Sequence, residues 1–550
     1  MIECLKPHKS LLQEVSSWAA AQGITEQQIQ SWHKDCFVTC VSRLLECLCK
    51  ENLVKNKSYA QEGDEWYLKL FESKSPDAVE MLVPVEKPLI EWDVRAIGLP
   101  RQNTGTISAH AEFLFTLSHL VVGIASESFC LLTEDFENSL ANLLLNRILF
   151  NQLDKKSPCL EPVYLGHHYY PFPGLRIGPS IEAISNCSPI CRNGVELRYV
   201  SINPRDIEVR SIANKSLQDI FFRALGTQVE SGILPVHPWQ LEQSKIVKGL
   251  FSLEISRLSP IKSIVVPLAS QRTCRVLQTG FDLKLSLDAT LTGEHRLIYP
   301  LNRINAPVVS ALISDARTRL GERSLEFQYD VASAMHRDSL LGNHLSVIFR
   351  EPVLAEKDEM IISALNLWCL GKNSLAFKFL QCKPHEYIVQ FFRQYAFLLL
   401  TGPIRMLLEC GIALEPHLQN TLFCFKRGEP TRVIFRDLDS AIIDFDSVDL
   451  EFRKLFPALT WEKMPTRDVA ECRLSHAIFI GHLDFVMKFL AKNHGIDYDQ
   501  TLSIFWSIIE KLQQHYVKKQ AESNYLESLK SIRPKKMLSM RLLKTMEQIF

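Results

Sequence analysis

Side chains that bind anions or metal ions recur at five places in the last two thirds of the sequence. In chain order they are Gly166-His167 with Arg176 and Gly178, the segment Pro235 to Gln240, Ser270-x-Arg272-Thr273, Lys284 with Thr292 and Arg296, and Glu415-x-His417-x-Gln419-Asn420 with Arg436-Asp437-x-Asp439. Guanidinium and ammonium groups make charge-assisted hydrogen bonds to phosphate and carboxylate oxygens. Because Arg272, Lys284 and Arg296 supply three cations, the pattern indicates a site for a triphosphate.

Residues around a predicted hairpin indicate a metal ion beside that ligand. Asn420 precedes the first predicted strand and Asp437 follows the second, so the hairpin would return both side chains to one place. An amide oxygen and a carboxylate are hard ligands, which suit Mg²⁺ held together with phosphates. The residues therefore favour a metal–nucleotide site.

Two of the clusters also have purely structural interpretations. The stretch from Lys284 to Leu291 alternates polar and apolar residues, as half-solvated strands do, and His237 between two prolines is typical of a rigid corner. In one extended strand, Lys284 and Thr292 would lie roughly 26 Å apart. Both can contact one nucleotide only if the strand bends or the ligand lies along it.

Composition restricts the class of protein. The chain has 550 residues, 62 Lys and Arg against 62 Asp and Glu, and 46% hydrophobic residues. This neutrality argues against coating nucleic acid or an acidic membrane, which needs a broad excess of positive charge. The first residues lack the apolar stretch of a secretory signal, and the uncharged run 113–126 is shorter than the about 20 residues of a membrane span. With 15 cysteines and no C-x-x-C pair, we expect free thiols in a cytoplasmic protein.

Hydrophobic periodicity predicts an α+β protein with three regions: residues 1–155 helical, residues 156–355 mixed with antiparallel strands, and residues 356–550 mostly helical. Helices are predicted at 11–19, 37–49, 136–153, 385–400, 403–411 and 499–518, with a break at Gly402-Pro403. Strands are predicted at 263–268 and 284–291, and a hairpin at 421–425 and 431–435. Residues 518–550 contain eight Lys and Arg against three Glu, which predicts a solvated or subunit-contacting helical tail.

The five clusters together resemble the motifs of the NRPS-independent siderophore synthetases, the IucA/IucC-like family named after aerobactin biosynthesis. The family's ordered segments are G-H-P-x-H-P-x-x-K-x-R-x-G, P-V-H-P-W-Q, S-x-R-T, K-L-x-L with a downstream T and R, E-x-H-x-Q-N, and R-D. This chain carries the second segment in full as Pro235 to Gln240 and matches the others in the family's order over about 270 residues. Five ordered matches are far more specific than any one of them.

The resemblance implies a cupped fold of thumb, fingers and palm with ATP at its centre, and a homodimer. It implies that ATP and Mg²⁺ activate a carboxylate of citrate or a related acid, and that an amine or hydroxyl of a polyamine or hydroxy-amino substrate then attacks the acyl-adenylate. Neither nucleic acid nor a membrane is an expected partner. The implied cradle for ATP is Ser270, Arg272, Thr273, Lys284, Thr292, Arg296, Gln419, Asn420 and Asp437. The implied metal ligands are Glu415, Asn420 and Asp437. The implied substrate contacts are Arg176, His417 and Arg436. The implied catalytic residues are His167, Arg272, Arg296 and His417, and His167 is expected to act as a proton-bearing cation.

Three positions depart from the first family segment: His168, Tyr170 and Gly174 replace the family's Pro, His and Lys. Because of these departures, a second interpretation stays open, in which the protein is a non-catalytic relative that only binds nucleotide or carboxylate. A kinase-like phosphotransferase is a second alternative, because kinases also place an Asn and an Asp for Mg²⁺. A kinase needs a catalytic Asp shortly after the His, where this chain has Leu418 and Gln419.

Overall fold

The structure of the protein is a computed structural model. It describes residues 10–518 apart from 76–77, 90–93, 103–104, 154–159, 162–163, 191–193, 213–215, 227, 244–262 and 448–465, and it also describes Leu538 and Ser539. The predicted boundary near 155 and nearly all of the predicted basic tail lie outside the described residues. The division into three regions with boundaries near 155 and 355 remains a prediction.

The described N-terminal region contains long helices that overlap the predicted helices 11–19, 37–49 and 136–153, together with one at His110–Leu120 that was not predicted. They are α1 (Leu11–Ala21), α2 (Glu26–Lys50), α3 (His110–Leu120) and α4 (Ser126–Asn151). A capping box between Thr25 and Gln28 begins α2, because each residue satisfies a free backbone N–H of the other. The rings of Phe37, Phe113 and Phe136 pack together where α2, α3 and α4 meet.

A five-stranded antiparallel sheet lies between α2 and α3 in the chain and was not predicted from the sequence. Its strands are β1 (Asn56–Glu62), β2 (Glu65–Phe71), β3 (Glu80–Val85), β4 (Arg101–Gln102) and β5 (Gly105–Thr106), in that spatial order. The turn before β2 uses Gly63 at φ +64°, a conformation that glycine adopts without cost. Only one face is well buried, through residues such as Leu68 and Leu70, so the hydrophobic signal of each strand is weak.

The middle of the chain forms a large antiparallel sheet flanked by helices. Its elements are β6 (Arg176–Ile177), α5 (Ile181–Cys187), β7 (Val195–Ser201), β8 (Ile207–Ser211), α6 (Leu217–Leu225), β9 (Ile233–Val236), α7 (Pro238–Gln243), β10 (Ser263–Pro267), β11 (Thr273–Val276), β12 (Asp282–Leu285), β13 (Thr290–Leu291), β14 (Glu294–His295), α8 (Pro300–Leu320), β15 (Leu325–Phe327), β16 (Asp330–His336), α9 (Ser339–His344) and β17 (Ser346–Arg350). Eight strands form one sheet in the order β8-β16-β17-β12-β11-β10-β7-β9. The predicted strand 263–268 is thus confirmed as β10.

The predicted continuous strand from Lys284 to Leu291 is wrong, because the chain leaves the large sheet after Leu285. Thr290 and Leu291 belong instead to a small sheet in the order β14-β13-β6. The break is stabilised by Gln240, whose side-chain oxygen accepts a hydrogen bond from the Asp288 backbone N–H at 2.6 Å. The strand therefore bends between Lys284 and Thr292, which is one of the two conditions for both to reach one ligand.

The C-terminal region packs helices against a small mixed sheet. Its elements are β18 (Glu359–Ser363), α10 (Ala364–Trp368), α11 (Leu375–Leu380), α12 (His385–Cys410), β19 (Ile412–Ala413), β20 (Thr421–Lys426), β21 (Glu429–Phe435), β22 (Ile442–Ile443), α13 (Arg467–Ser475), a π-helical segment (His476–Leu483), α14 (Asp484–His494) and α15 (Tyr498–Lys518). The predicted hairpin is confirmed as β20 and β21, and its turn uses Arg427 and Gly428 at positive φ. The predicted helix 499–518 is confirmed as α15.

The predicted helix break at Gly402-Pro403 is wrong, because α12 continues through both residues to Cys410. A proline inside a helix costs about 3 kcal/mol through a lost hydrogen bond and a clash. Buried residues on both sides of Pro403, among them Leu399 and Leu407, keep the whole helix in the core. Gly411 then ends the helix at φ +68°, as predicted.

The helical stretch Arg467–His494 is long and apolar enough to cross a membrane by composition alone. However, 78% of its most apolar window is buried inside the protein. Its hydrophobicity is therefore accounted for by packing against the C-terminal core.

Candidate active site

One cleft collects predicted site residues from four of the five sequence clusters. It is lined by His167, Arg176, Ser270, Thr292, Arg296 and Gln419. These residues come from the loop before β6, from β6 itself, from the turn before β11, from the β13–β14 turn, from the position after β14 and from the loop before β20. Side chains separated by up to 252 positions thus face one space, which is the arrangement that a small-ligand site requires.

Backbone strain is concentrated around this cleft. Of the six described non-glycine residues with positive φ, Gln271 (+65°), Thr292 (+51°) and Asp437 (+66°) belong to the predicted motifs or stand beside them. Such conformations cost about 1–3 kcal/mol each and persist where the surrounding structure enforces them, often at functional sites. The Ser270–Thr273 turn is fixed further by the Thr273 N–H, which donates to the Ser270 hydroxyl.

The first motif forms a tight loop whose shape depends on glycine. Gly166 has φ +71°, and a Cβ there would lie 2.3 Å from the carbonyl oxygen of Pro173. The backbone N–H of His167 donates to that same carbonyl. This closure holds the imidazole of His167 at the wall of the cleft.

Two of the three departures from the family segment, Tyr170 and Gly174, have steric explanations. A Cβ at position 174 would approach the Ser139 carbonyl oxygen to 2.5 Å, so helix α4 leaves no room for a lysine. Tyr170 is buried, and its hydroxyl lies 2.1 Å from where a Cβ on Gly293 would stand. The ring therefore supports the β13–β14 turn from beneath.

Two guanidinium groups, those of Arg272 and Arg296, supply positive charge here: Arg296 lines the cleft, and Arg272 is hydrogen-bonded to the backbone of Arg296. Arg272 donates from Nη1 to the carbonyls of Arg296 (3.0 Å) and Leu297 (3.1 Å). Arg296 donates from Nη2 to the Leu291 carbonyl (2.9 Å) and the Thr292 hydroxyl (2.6 Å), and from Nη1 to the exposed Glu294 (3.2 Å). Burial and the nearby Arg296 lower the pKa of Arg272, so the site brings like charges together and favours an anion between them.

Arg176 is a third cation in the wall of the cleft. It is buried, and its Nη1 donates to the Asn146 side-chain oxygen of α4 at 2.8 Å. Burial lowers the pKa of Arg176 to about 10, which leaves it charged at neutral pH.

Lys284, in contrast, is saturated by carboxylates. Its ammonium lies 2.8 Å from Asp437 and 2.7 Å from Asp439. Arg350 bridges Asp437 and the buried Asp330, at 2.8 Å to each. Burial alone would raise the pKa of Asp437, but Lys284 and Arg350 hold it well below its ordinary value. The predicted phosphate cation is therefore the centre of an internal ion-pair network.

The loop before β20 presents His417 with a defined orientation. Nδ1 of His417 accepts hydrogen bonds from the backbone N–H groups of Gln419 (3.2 Å) and Asn420 (3.3 Å). In the neutral imidazole the proton therefore resides on Nε2, which is a donor. Burial lowers the pKa of His417, and Glu415 and Asp437 only partly oppose this.

Glu161 and Arg436 connect this loop to the Ser270–Thr273 turn. Arg436 donates from Nη2 to the Gln419 carbonyl and to Glu161, at 2.7 Å each. The other carboxylate oxygen of Glu161 accepts from the backbone N–H of Ala269 at 2.8 Å. Glu161 was missed in the sequence, because an isolated Glu in a loop carries no motif signal.

A π-helical segment, His476–Leu483, supports the same loop from the other side. The Gly481 carbonyl accepts from the Leu418 backbone N–H at 3.1 Å and contacts His168 Nε2 at 2.9 Å. His482 contacts the Pro416 carbonyl through Nδ1 at 2.9 Å. Such π-helical turns are frequent at functional sites, and this one orients both the first and the fifth motif.

The P-V-H-P-W-Q segment acts as a structural corner. His237 and Gln240 are fully buried, Nδ1 of His237 accepts the Trp239 backbone N–H at 3.2 Å, and burial lowers the His237 pKa to about 4. Gln240 sets the break after β12 described above. The structural interpretation of this segment therefore fits its contacts.

Burial also determines the charge of His167. The surrounding protein, with His417 and Arg296 nearby, lowers the His167 pKa to about 3. At neutral pH its imidazole is therefore uncharged in the unliganded protein. The proton-bearing cation at His167 stays a prediction, and it requires an anion in the cleft to raise this pKa.

The predicted metal ligands fit Mg²⁺ in part. Asn420 directly precedes β20 and Asp437 follows β21, and the Arg436 N–H donates to the Asn420 carbonyl between them. The side chain of Asp437 is 27% exposed. Glu415, however, is ion-paired with Arg473. Among the described residues no group of three His, Cys, Asp or Glu is arranged to hold a metal. Asn420 and Asp437 could thus contribute two ligands, with the remainder supplied by bound phosphates.

Cations and neutral imidazoles on one cleft of an α+β fold are typical of proteins that bind small phosphorylated or carboxylated molecules. Comparison with known proteins shows which families the chain resembles. Residues 160–367 match the model of the IucA / IucC family, and residues 389–548 match the ferric iron reductase FhuF-like transporter family. The match over residues 160–367 agrees with the motifs, so the family prediction made from the motifs is confirmed.

Among the curated relatives, one Staphylococcus aureus protein is 2-[(L-alanin-3-ylcarbamoyl)methyl]-3-(2-aminoethylcarbamoyl)-2-hydroxypropanoate synthase. It is 22% identical over 410 residues, which are 64% of each chain. Aerobactin synthase of Escherichia coli is 22% identical over 377 residues, 60% of this chain and 63% of that protein. The matched part of the chain thus spans less than two thirds of these relatives.

Solved structures share the fold over nearly the whole length. The petrobactin biosynthesis protein AsbB of Bacillus anthracis superposes with a TM-score of 0.74 at 16% identity, covering 93% of each chain. The ATP-bound aerobactin synthetase IucA of Klebsiella pneumoniae has a TM-score of 0.71 at 14% identity, covering 91% of this chain and 93% of its own. The predicted α+β fold is therefore confirmed.

Proposed function

We propose that the protein is an ATP-dependent siderophore synthetase, which adenylates a carboxylate of citrate or a related acid and joins it to an amine or hydroxyl. The main observation that supports this proposal is that His167, Ser270, Arg296 and Gln419 line one cleft. Relatives named as synthases of amide-containing citrate derivatives and an ATP-bound neighbour of the same fold support the substrates.

The chemical difficulty in such a reaction is electrostatic. A carboxylate anion must approach the α-phosphate of a nucleotide that already carries several negative charges. Fixed cations offset this repulsion and stabilise the charge that develops on the phosphate oxygens. Arg272 and Arg296 suit the task because, apart from the exposed Glu294, their hydrogen-bond partners are neutral carbonyls and a hydroxyl.

The two histidines would act as hydrogen-bond donors. With Nδ1 occupied by backbone N–H groups, His417 presents Nε2–H to the substrate. His167 is uncharged before binding, and an adjacent phosphate would favour its protonation because opposite charges raise a histidine pKa. The cation predicted at His167 would then form only in the occupied site.

Mg²⁺ would be held by Asn420, Asp437 and phosphate oxygens, with Glu415 contributing only if it leaves Arg473. The ion would supply Lewis-acid polarisation of the phosphates. Lys284 and Arg350 keep Asp437 ionised and fixed for that task. We also propose that the protein forms a homodimer, that the acid is citrate, and that the protein is located in the cytoplasm.

The test combines ATP, Mg²⁺ and a panel of di- and tricarboxylic acids with hydroxylamine as the trapping nucleophile. We expect pyrophosphate release and a hydroxamate with at least one acid. A folded protein that produces neither with any acid contradicts the proposal. ADP with a phosphorylated product would instead support the kinase-like alternative.

A further inference from the structure

Asp288 lies between β12 and β13, where the chain leaves the large sheet and enters the hairpin β13–β14. The Ala289 N–H donates to the Leu287 carbonyl at 2.9 Å, so the chain makes a three-residue turn centred on Asp288. The side chain of Asp288 does not line the cleft. Its contacts nevertheless lead directly to a residue that does.

This three-residue turn holds the backbone of Arg296. The Leu287 N–H donates to the Arg296 carbonyl at 3.0 Å, and the Arg296 N–H donates to the Ala289 carbonyl at 2.9 Å. Both chain neighbours of Asp288 are therefore hydrogen-bonded to the residue whose side chain lines the cleft. The Arg296 carbonyl also accepts from Nη1 of Arg272 at 3.0 Å. A shift of this turn would thus move the Arg296 backbone, to which both guanidinium groups are connected.

The carboxylate of Asp288 makes a second connection to the same hairpin. Its Oδ1 lies 2.9 Å from Nε2 of His295, the residue that directly precedes Arg296 in the chain. His295 in turn pairs with Thr290 across β13 and β14. Asp288 therefore ties the loop after β12 to the strand that leads into Arg296, through its side chain as well as through its backbone neighbours.

Two buried residues, Gln240 and His344, hold Asp288 in place. The Asp288 N–H donates to the side-chain oxygen of Gln240 at 2.6 Å, and the amide nitrogen of Gln240 donates to the His344 carbonyl at 3.2 Å. Nδ1 of His344 lies 3.8 Å from the second carboxylate oxygen of Asp288. The position of Asp288 is therefore determined by the core, although its own side chain is partly exposed.

We propose that Asp288 is a positioning residue for Arg296, and that Gln240 of the P-V-H-P-W-Q segment acts on the cleft through it. The inference rests on the proposed function, because that function gives Arg296 its role toward the phosphates of ATP. A fixed cation is effective only where it is held against the developing charge, and a small misplacement lowers the rate strongly. The P-V-H-P-W-Q segment thus has a role in the reaction beyond that of a rigid corner.

The test is a double-mutant cycle between positions 288 and 296 in the full chain. It is measured as ATP affinity by calorimetric titration and as kcat and KM for pyrophosphate release. We expect Asp288→Ala to weaken ATP binding and to lower kcat/KM, each by about tenfold. In the Arg296→Ala background the same change should alter either quantity by less than about twofold, because Asp288 then has no guanidinium to position. Equal losses in the two backgrounds would overturn the proposal, since a merely structural role predicts additivity.

A conservative variant and a matched control complete the experiment. Asp288→Asn keeps an oxygen that can accept from His295, so it should recover most of the ATP affinity that Asp288→Ala loses. Glu137→Ala removes the carboxylate of another partly exposed pair, with His110 at 3.2 Å, and it should leave ATP affinity unchanged. Wild-type ATP affinity in Asp288→Ala would also overturn the positioning role.

The two measurements separate this inference from the proposed function. ATP binding that follows the expected cycle, without pyrophosphate release with any acid, would reject the synthetase and support the positioning role. Pyrophosphate release with equal losses in the two backgrounds would support the synthetase and reject the positioning role. A wild-type protein that does not bind ATP would overturn both.

Discussion

Two neighbouring groups of cations in this protein are used in different ways. Arg272 and Arg296 donate mainly to neutral carbonyls and hydroxyls, whereas Lys284 and Arg350 are enclosed by Asp330, Asp437 and Asp439. Sequence motifs place Arg272, Lys284 and Arg296 in one class, as phosphate ligands. Their partners divide them into an arginine pair that retains its attraction for a ligand and a network that maintains the architecture.

The difference matters because charge compensation determines what a cation can still do. An ion already paired with two carboxylates gains little from a further anion, while an ion held by neutral dipoles keeps its field. We therefore expect the arginine pair to control catalysis and the Lys284 network to control stability. Substitutions in the two groups can break or sharpen this distinction.

The largest effect should follow removal of the network's centre. Lys284→Met leaves Asp437 and Asp439 facing each other without their ammonium, with only 4% of the Lys284 side chain exposed. Breaking one partner of a buried ion pair costs about 3–5 kcal/mol. We expect the free energy of unfolding in urea to fall by this amount, with Lys426→Met on the exposed end of β20 as the neutral control. An unchanged midpoint would place Lys284 in the ligand site instead.

The arginine pair should show the opposite behaviour. Arg272→Ala should lower pyrophosphate release by about 100- to 1,000-fold, the usual cost of losing one preorganised donor at a developing charge. Its unfolding midpoint should stay close to that of the wild type, because only two carbonyl contacts are lost. Arg198→Ala in the same sheet is the matched control, since Arg198 is exposed, forms an ion pair with Glu196 and does not line the cleft. Full activity in Arg272→Ala would remove it from the site.

As the pH falls, protonation of the buried histidines should destabilise the protein before the carboxylates of the Lys284 network become protonated. The pKa of His167 is lowered to about 3 and that of His482 to about 3, while the unfolded chain has an ordinary histidine value near 6.5. Below pH 6.5 the unfolded state binds more protons, so stability present at pH 7 is lost as the pH falls toward 3. Each histidine contributes about 2 kcal/mol of this loss by pH 5.

His167→Gln checks that sign. The variant should show a smaller decrease in unfolding free energy between pH 7 and pH 5 than the wild type, by about one histidine's share. Exposed His385, substituted in the same way, should leave the slope unchanged. An equal slope in wild type and His167→Gln would mean that the pKa of His167 is the same in the folded and unfolded protein.

The sequence predicted the secondary-structure elements better than it predicted the candidate active site. Motif order identified the family, and periodicity located α2, α4, α15 and the β20–β21 hairpin. The bend after Leu285 could not be predicted, because it depends on Gln240, 48 positions earlier in the chain. The continuation of α12 through Pro403 depends likewise on burial of both halves in a core that distant segments complete.

The site illustrates the same limit. Residue types identified the cations, but whether Lys284 meets a ligand or a carboxylate depends on Asp439, which lies 155 positions away. Glu161 and Gly481 carry no local pattern at all, and their importance follows only from the backbone groups that they contact. Sequence motifs therefore predict which residues converge and not which of them remain available.

The smallest predicted effect concerns Glu161, which links the arginine turn to the hairpin through Ala269 and Arg436. Glu161→Gln keeps the shape of the side chain but removes the charge that fixes Arg436. The loop that carries His417 should then be less well oriented, while the rate of the chemical step should stay the same. We expect about a tenfold loss in kcat/KM, carried mainly by KM for the acid, since hydrogen bonds to charged groups contribute about 1.5–3 kcal/mol. Glu182→Gln on α5, a surface position, is the control. Glu161→Asp should recover some of the loss, and a variant whose kcat alone fell would show that Glu161 acts on the chemical step directly.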